Sequence, residues 1–155
     1  RESSALRLVF SRIHIRFGGQ RQTVTGGTAI QLGDVSGQAT VNVQQTDVNR
    51  ELDHVKALLE KGKPDAAEEH LLRIKRDHES ALTVQQQFRF QAYFGKVFHD
   101  RGEASKSAIH YRNASRLRPS DEDGRAYGVL ADFIEGENDG AYAKAVEILR
   151  DHPSS

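Results

Sequence analysis

Apolar residues recur with two different periods along the chain, and the change of period divides it. Within residues 8–17, Ile13, Ile15 and Phe17 alternate with Arg12, His14 and Arg16. A period of two predicts a strand with aliphatics on one face and cations on the other. Gly18-Gly19 follows, supplying the backbone freedom that a turn needs. From Asp47 onward the period is helical. Leu52, Val55, Leu58 and Leu59 mark a first helix that stops at Gly62-Lys63-Pro64, with Thr46 or Asp47 as the expected N-cap. Ala67, Leu71, Leu72 and Ile74 mark a second helix opening at Asp65, and Phe88, Phe94 and Phe98 a third. Short helices joined by Gly-containing turns predict antiparallel hairpins. The expected fold is mainly α, with a small Gly-rich β segment over residues 1–45.

That β segment contains an internal repeat. Residues 24–34 align without gaps on residues 35–45, so that Val24 matches Val35, Ile30 matches Val41 and Leu32 matches Val43. A spacing of eleven residues suits one strand and its turn. A two-stranded ribbon is marginal by itself, so this one requires the preceding strand, another subunit or a neighbouring domain. Val24, Ile30, Leu32, Val35, Val41 and Val43 are therefore candidates for self-association into a homo-oligomer through strand edges. The plainer alternative is a Gly-rich hairpin that only connects domains.

Residues 88–119 carry a denser pattern. Gly95, Phe98, Gly102, Ser107, Tyr111, Ala114 and Pro119 stand at the small, aromatic, turn and closing positions of a helix-turn-helix unit, which resembles the tetratricopeptide repeat. Gly102 to Gly136 and Pro119 to Pro153 are both intervals of 34 residues. Gly62 lies 40 residues before Gly102, leaving about six extra residues in that connection. Three units follow, at about residues 47–79, 88–119 and 122–153. The third departs from the pattern, because Val129 and Asp132 occupy positions for a small and a large apolar residue; Gly128 or Ala131 would restore it by a shift of register. No polar capping helix is legible between Pro153 and Ser155, so further repeats are expected beyond it.

The resemblance implies an α-solenoid whose first helices line a groove for an extended peptide or a partner helix. Carried onto this chain, the groove residues are Asn49, Leu52, Lys56 and Leu59, then Arg89, Ala92, Tyr93, Lys96, His99 and Asp100, then Asp123, Tyr127, Leu130 and Phe133. The chaperone-binding branch of that family grips a terminal carboxylate with lysines, arginine and asparagines. Here Leu52, Tyr93, Asp123 and Tyr127 stand at those positions, so that role is not expected.

Composition narrows the chemistry. With 22 basic and 22 acidic residues the chain is formally neutral, which disfavours bulk binding to nucleic acid. The first third is nevertheless basic, and Arg12, His14 and Arg16 on one strand face offer weak phosphate binding as an alternative. No apolar run is long enough to span a bilayer, and arginines interrupt any signal-peptide core at the start. The absence of cysteine removes disulfides and thiol chemistry and makes the cytoplasm the default location. Seven histidines include no HExxH string, and the glycine-rich stretches lack the lysine of a phosphate loop. No enzyme, cofactor or metal is expected, and protein binding is the expected function. Arg1 in place of methionine suggests a processed fragment. A faint likeness of residues 33–37 to linkers of bacterial nucleotide-switch ATPases suggests the sensor portion of a multidomain signalling or defence protein.

Overall fold

The computed structural model describes residues 2–13 and 36–153. Seven α-helices form there: α1 (Glu2–Ser11), α2 (Ser36–Glu60), α3 (Pro64–His78), α4 (Val84–Asp100), α5 (Ala104–Leu117), α6 (Glu122–Ile134) and α7 (Asn138–Asp151). A 3-10 turn over Glu79–Ala81 follows α3 and accounts for the longer connection to α4. α2 pairs with α3, α4 with α5 and α6 with α7; α4 also packs on α2 and α3, and α6 on α5.

The three pairs turn in the same way. Gly62, Gly102 and Gly136 have φ values of 73°, 78° and 87°, a left-handed conformation that only glycine adopts without strain. After each, the next amide donates back five positions: Lys63 to Leu58 at 2.9 Å, Glu103 to Phe98 at 2.8 Å and Glu137 to Asp132 at 2.9 Å. The glycine amides donate to Leu59, His99 and Phe133, each at 3.0 Å. These paired bonds satisfy carbonyls that a helix end would otherwise leave open. The residue before the glycine then ties two hairpins together. Arg101 reaches Asp65 at 2.7 Å and Glu68 on α3, and Glu135 pairs with Arg112 on α5. The second contact repeats the first with the charges exchanged.

Local signals explain where the helices start. α3 has Pro64 in its first turn, where the missing amide costs nothing, and Lys75, Arg76 and His78 at its end. α4 begins with a capping box: the Gln86 amide donates to Thr83 Oγ1 at 3.1 Å, and the Thr83 amide to Gln86 Oε1 at 3.0 Å. The Gln86 side chain also donates to Asn49 Oδ1 at 3.0 Å and to the Gln45 carbonyl at 3.3 Å. One buried amide thus caps α4 and joins it to α2.

α4 and α5 approach closely at Gly95. Its carbonyl accepts a 2.8 Å bond from buried Ser107 Oγ, and the missing side chain leaves room for the Tyr111 ring. Tyr111 is fully buried and stacks on Tyr127 at 5.2 Å, linking α4, α5 and α6. Asp132 is also buried. It accepts from Arg112 at 2.9 Å and Lys144 at 2.6 Å, so a carboxylate joins α5, α6 and α7 where the repeat pattern wants an apolar residue. Ala131 beside it is fully buried, as is Val129.

Two expectations are corrected. The run from Leu8 does not begin a strand: residues 8–11 are helical, and α1 packs on α7 and α6. Leu6, Val9 and Ile13 have helical spacing, and all three are buried there. Phe10 meets Phe133 edge-on at 5.6 Å, and Arg12 pairs with Glu122 at 2.7 Å while donating to the His152 carbonyl at 2.7 Å. The last hairpin therefore does have a covering helix, supplied from the opposite end of the sequence. Residues 36–45 of the second copy of the eleven-residue repeat, including Val41 and Val43, lie within α2, which also takes in Thr46 and Asp47. Continuing an existing helix adds a hydrogen bond per residue, whereas no strand among the described residues offers this segment a partner. Val24, Ile30, Leu32 and Val35, with Ile15, Phe17, His14 and Arg16, lie outside the described residues. Among the described residues no helix is long and apolar enough to cross a membrane.

Candidate functional site

The first helices of the three pairs contribute to one open cavity of about 430 Å³. α2 supplies Asp53 and Lys56, one turn apart; α4 supplies Gln85, Phe88, Arg89, Ala92 and Tyr93; α6 supplies Asp123 and Tyr127. Each set recurs at three or four residues, the spacing that places side chains along one helix face. Arg118, in the link between α5 and α6, closes the remaining side.

The floor is aromatic. Phe88 meets Tyr127 edge-on at 5.6 Å, and Tyr93 is buried beside them. Burial pushes the Tyr93 and Tyr127 phenols upward, Tyr127 well above its ordinary value, so both rings are neutral. Two guanidinium groups stand over this floor. The Arg118 carbon is 4.6 Å from the Phe88 ring centre, and that of Arg89 is 5.4 Å from the Tyr93 centre. Arg89 Nε donates to Tyr93 Oη at 3.0 Å and Nη2 to Asp53 Oδ1 at 2.6 Å. Burial works against the Arg89 charge, but Tyr93 and Asp53 outweigh it and hold its pKa above the ordinary value. Arg118 pairs with Asp121 and donates to Gln85 Oε1 at 2.9 Å. Lys56 makes a loose 4.0 Å contact with Glu60. The cavity thus combines apolar area with charged groups held in fixed directions, which suits recognition of a side chain.

No family model matches this chain, and no curated protein or solved structure is significantly similar to it.

Of the groove residues expected from the sequence, Lys56, Arg89, Ala92, Tyr93, Asp123 and Tyr127 line this cavity together. Others do not. Asn49 is engaged with Gln86. Leu52, Leu59 and Leu130 are core residues. Lys96 is buried and pairs with Asp100 at 2.7 Å, one turn away near the end of α4, with His99 between them. Phe133 lies against Phe10 of α1. Arg12, expected on a phosphate-binding strand face, is occupied with Glu122 and the end of α7. Asp53, Gln85, Phe88 and Arg118 are lining residues that were not among the expected groove residues. Asp53 and Gln85 lie one turn from selected residues, so widening the stripe would have found them; Arg118 lies outside any helical stripe.

A second cavity of about 450 Å³ lies on the opposite side of α4, around Phe90, Gln91, Asn113 and Leu117. It is bounded by the extra residues of the α3–α4 connection, including Glu79 and Leu82. His54 and His70 have ring centres 4.6 Å apart, close to Glu51 and Arg73, yet among the described residues no three metal-ligating groups gather.

Proposed function

We propose that this chain is a protein-interaction module of tetratricopeptide type, which holds an extended peptide or partner segment across α2, α4 and α6. The observation carrying this reading is the convergence of Lys56, Arg89, Tyr93 and Tyr127, from three successive hairpins, around one open cavity with an aromatic floor. Tyrosine and arginine provide large contact area together with directed hydrogen bonds, the combination that dominates binding hot spots. Repetition supports the same reading. The turns at Gly102 and Gly136 are 34 residues apart and share their hydrogen bonds, and their flanking residues Arg101 and Glu135 make equivalent links.

The test uses peptides selected on the chain from a random display library. Their affinity is measured for the native chain, a Lys56→Glu/Arg89→Glu variant, and a Gln91→Ala/Asn113→Ala variant in the opposite cavity. The reading predicts a loss of roughly tenfold or more, about 1.4 kcal/mol, with the first variant and no loss with the second. Equal affinity for the native chain and the first variant would exclude this face as the binding site.

A further inference from the structure

The geometry points to an anion subsite in this cavity: Arg89 and Arg118 together receive one carboxylate side chain, aspartate or glutamate, from the bound segment. This rests on the groove reading and deepens it. Both guanidinium groups line the same cavity, each with its central carbon over an aromatic ring. Arginine's planar fork matches a carboxylate, and stacking lowers the entropy lost when the bond forms.

The present partners of these arginines are replaceable. The Arg89 side chain is 19% exposed but its partner Asp53 is 71% exposed; for Arg118 and Asp121 the values are 28% and 45%. An exposed carboxylate gains little from such a pair and returns to water at little cost. An incoming carboxylate above Phe88 and Tyr93 would be less hydrated, so its bonds to the same arginines would be stronger. The intrachain pairs meanwhile hold both arginines in position.

The count of charges selects the kind of anion. Once Asp53 and Asp121 turn back to water, Lys56, Arg89 and Arg118 face Asp123 in the cavity and Glu60 beside Lys56, leaving one cation in excess. That suits a single carboxylate. A phosphate dianion or a run of acids would meet repulsion from Asp123, which stays in place whichever arginine partner is exchanged.

The experiment uses arrays of acetylated, C-terminally amidated nonamers, random except for a fixed central glutamate, glutamine or phosphoserine. A fourth array has a free terminal carboxylate and central glutamine. The inference predicts that the native chain binds the glutamate set about tenfold better than the glutamine set, and better than the other two. Arg118→Gln removes that preference, and Arg118→Lys restores only part of it. Asp53→Asn, which releases Arg89 from its exposed partner, should tighten glutamate binding about two- to fivefold. Circular dichroism of each variant establishes that it is folded. Equal binding of the glutamate and glutamine sets overturns the inference, as does stronger binding of phosphoserine or of the free terminus. If that equality occurs and Gln85→Trp, at the exposed lip, still weakens both sets, the anion subsite fails and the groove reading stands. If Gln85→Trp changes nothing, both fail.

Discussion

Replacing Gly95 with alanine would put a methyl group 2.5 Å from both Cδ1 and Cε1 of Tyr111, and 3.0 Å from its Cγ. Carbon atoms settle at about 3.5–4.0 Å, so α4 and the ring must separate by about 1 Å. The ring has nowhere simple to go. It is fully buried, Tyr127 is stacked 5.2 Å away, and Ser107 on its own helix is bonded to the Gly95 carbonyl. Overpacking of this kind costs about 1–3 kcal/mol, and moving a whole helix puts it at the upper end. Alanine recovers about 0.8–1.0 kcal/mol of helix propensity. The expected net loss is therefore about 1–2 kcal/mol. Gly140→Ala is the control, because Gly140 lies in the exposed first turn of α7 with nothing within 4 Å of the new methyl group. There only the propensity gain operates, up to about 1 kcal/mol. Urea unfolding followed by circular dichroism at 222 nm measures both. If Gly95→Ala is as stable as the native chain, the close approach of α4 to Tyr111 is not a determinant of packing.

Other expectations follow from separate parts of the molecule. Burial opposes the Asp132 charge, but Lys144 and Arg112 outweigh it and lower its pKa. Its stabilising contribution is thus complete above the unfolded value of about 3.9 and disappears as pH falls through the lower folded value. Asp132→Asn should cost about 2–3 kcal/mol at pH 7 and flatten stability against pH below about pH 4; an unchanged acid limb would refute the assignment. Gly102→Ala and Gly136→Ala should each cost about 1–2 kcal/mol through the left-handed turn, measured by denaturant midpoint at constant m. Ile13→Ala should release α1, raising amide exchange in α1 and α7 while α4 and α5 keep their protection; uniform loss across all helices would contradict α1 as a local cover.

The hairpins were legible because their determinants are local. A glycine in each turn, a helical stripe on each side and a repeated interval all lie within one unit of sequence. What the sequence concealed depended on contacts between distant positions. Arg12 meets Glu122 and His152 across separations of 110 and 140 residues, so nothing near Leu8 reveals that a helical face will be covered by α7. Over residues 6–13 the helical spacing of Leu6, Val9 and Ile13 governs. Asp132 looked like a break in the pattern because its partners Arg112 and Lys144 lie on other helices. In the cavity, the stripe on α4 was readable, but Lys96 and Asp100 satisfy one another within the helix, and Arg118 enters from a connection whose path depends on the packing of α6.

Backbone amide shifts during titration with a library-selected peptide test the central claim most directly. The account predicts that the largest changes fall on Lys56, Arg89, Tyr93 and Tyr127, from three helices in one saturable event, with Gln91 and Asn113 on the other side of α4 nearly still. Changes centred on that opposite cavity, or on α1 and α7, would contradict it.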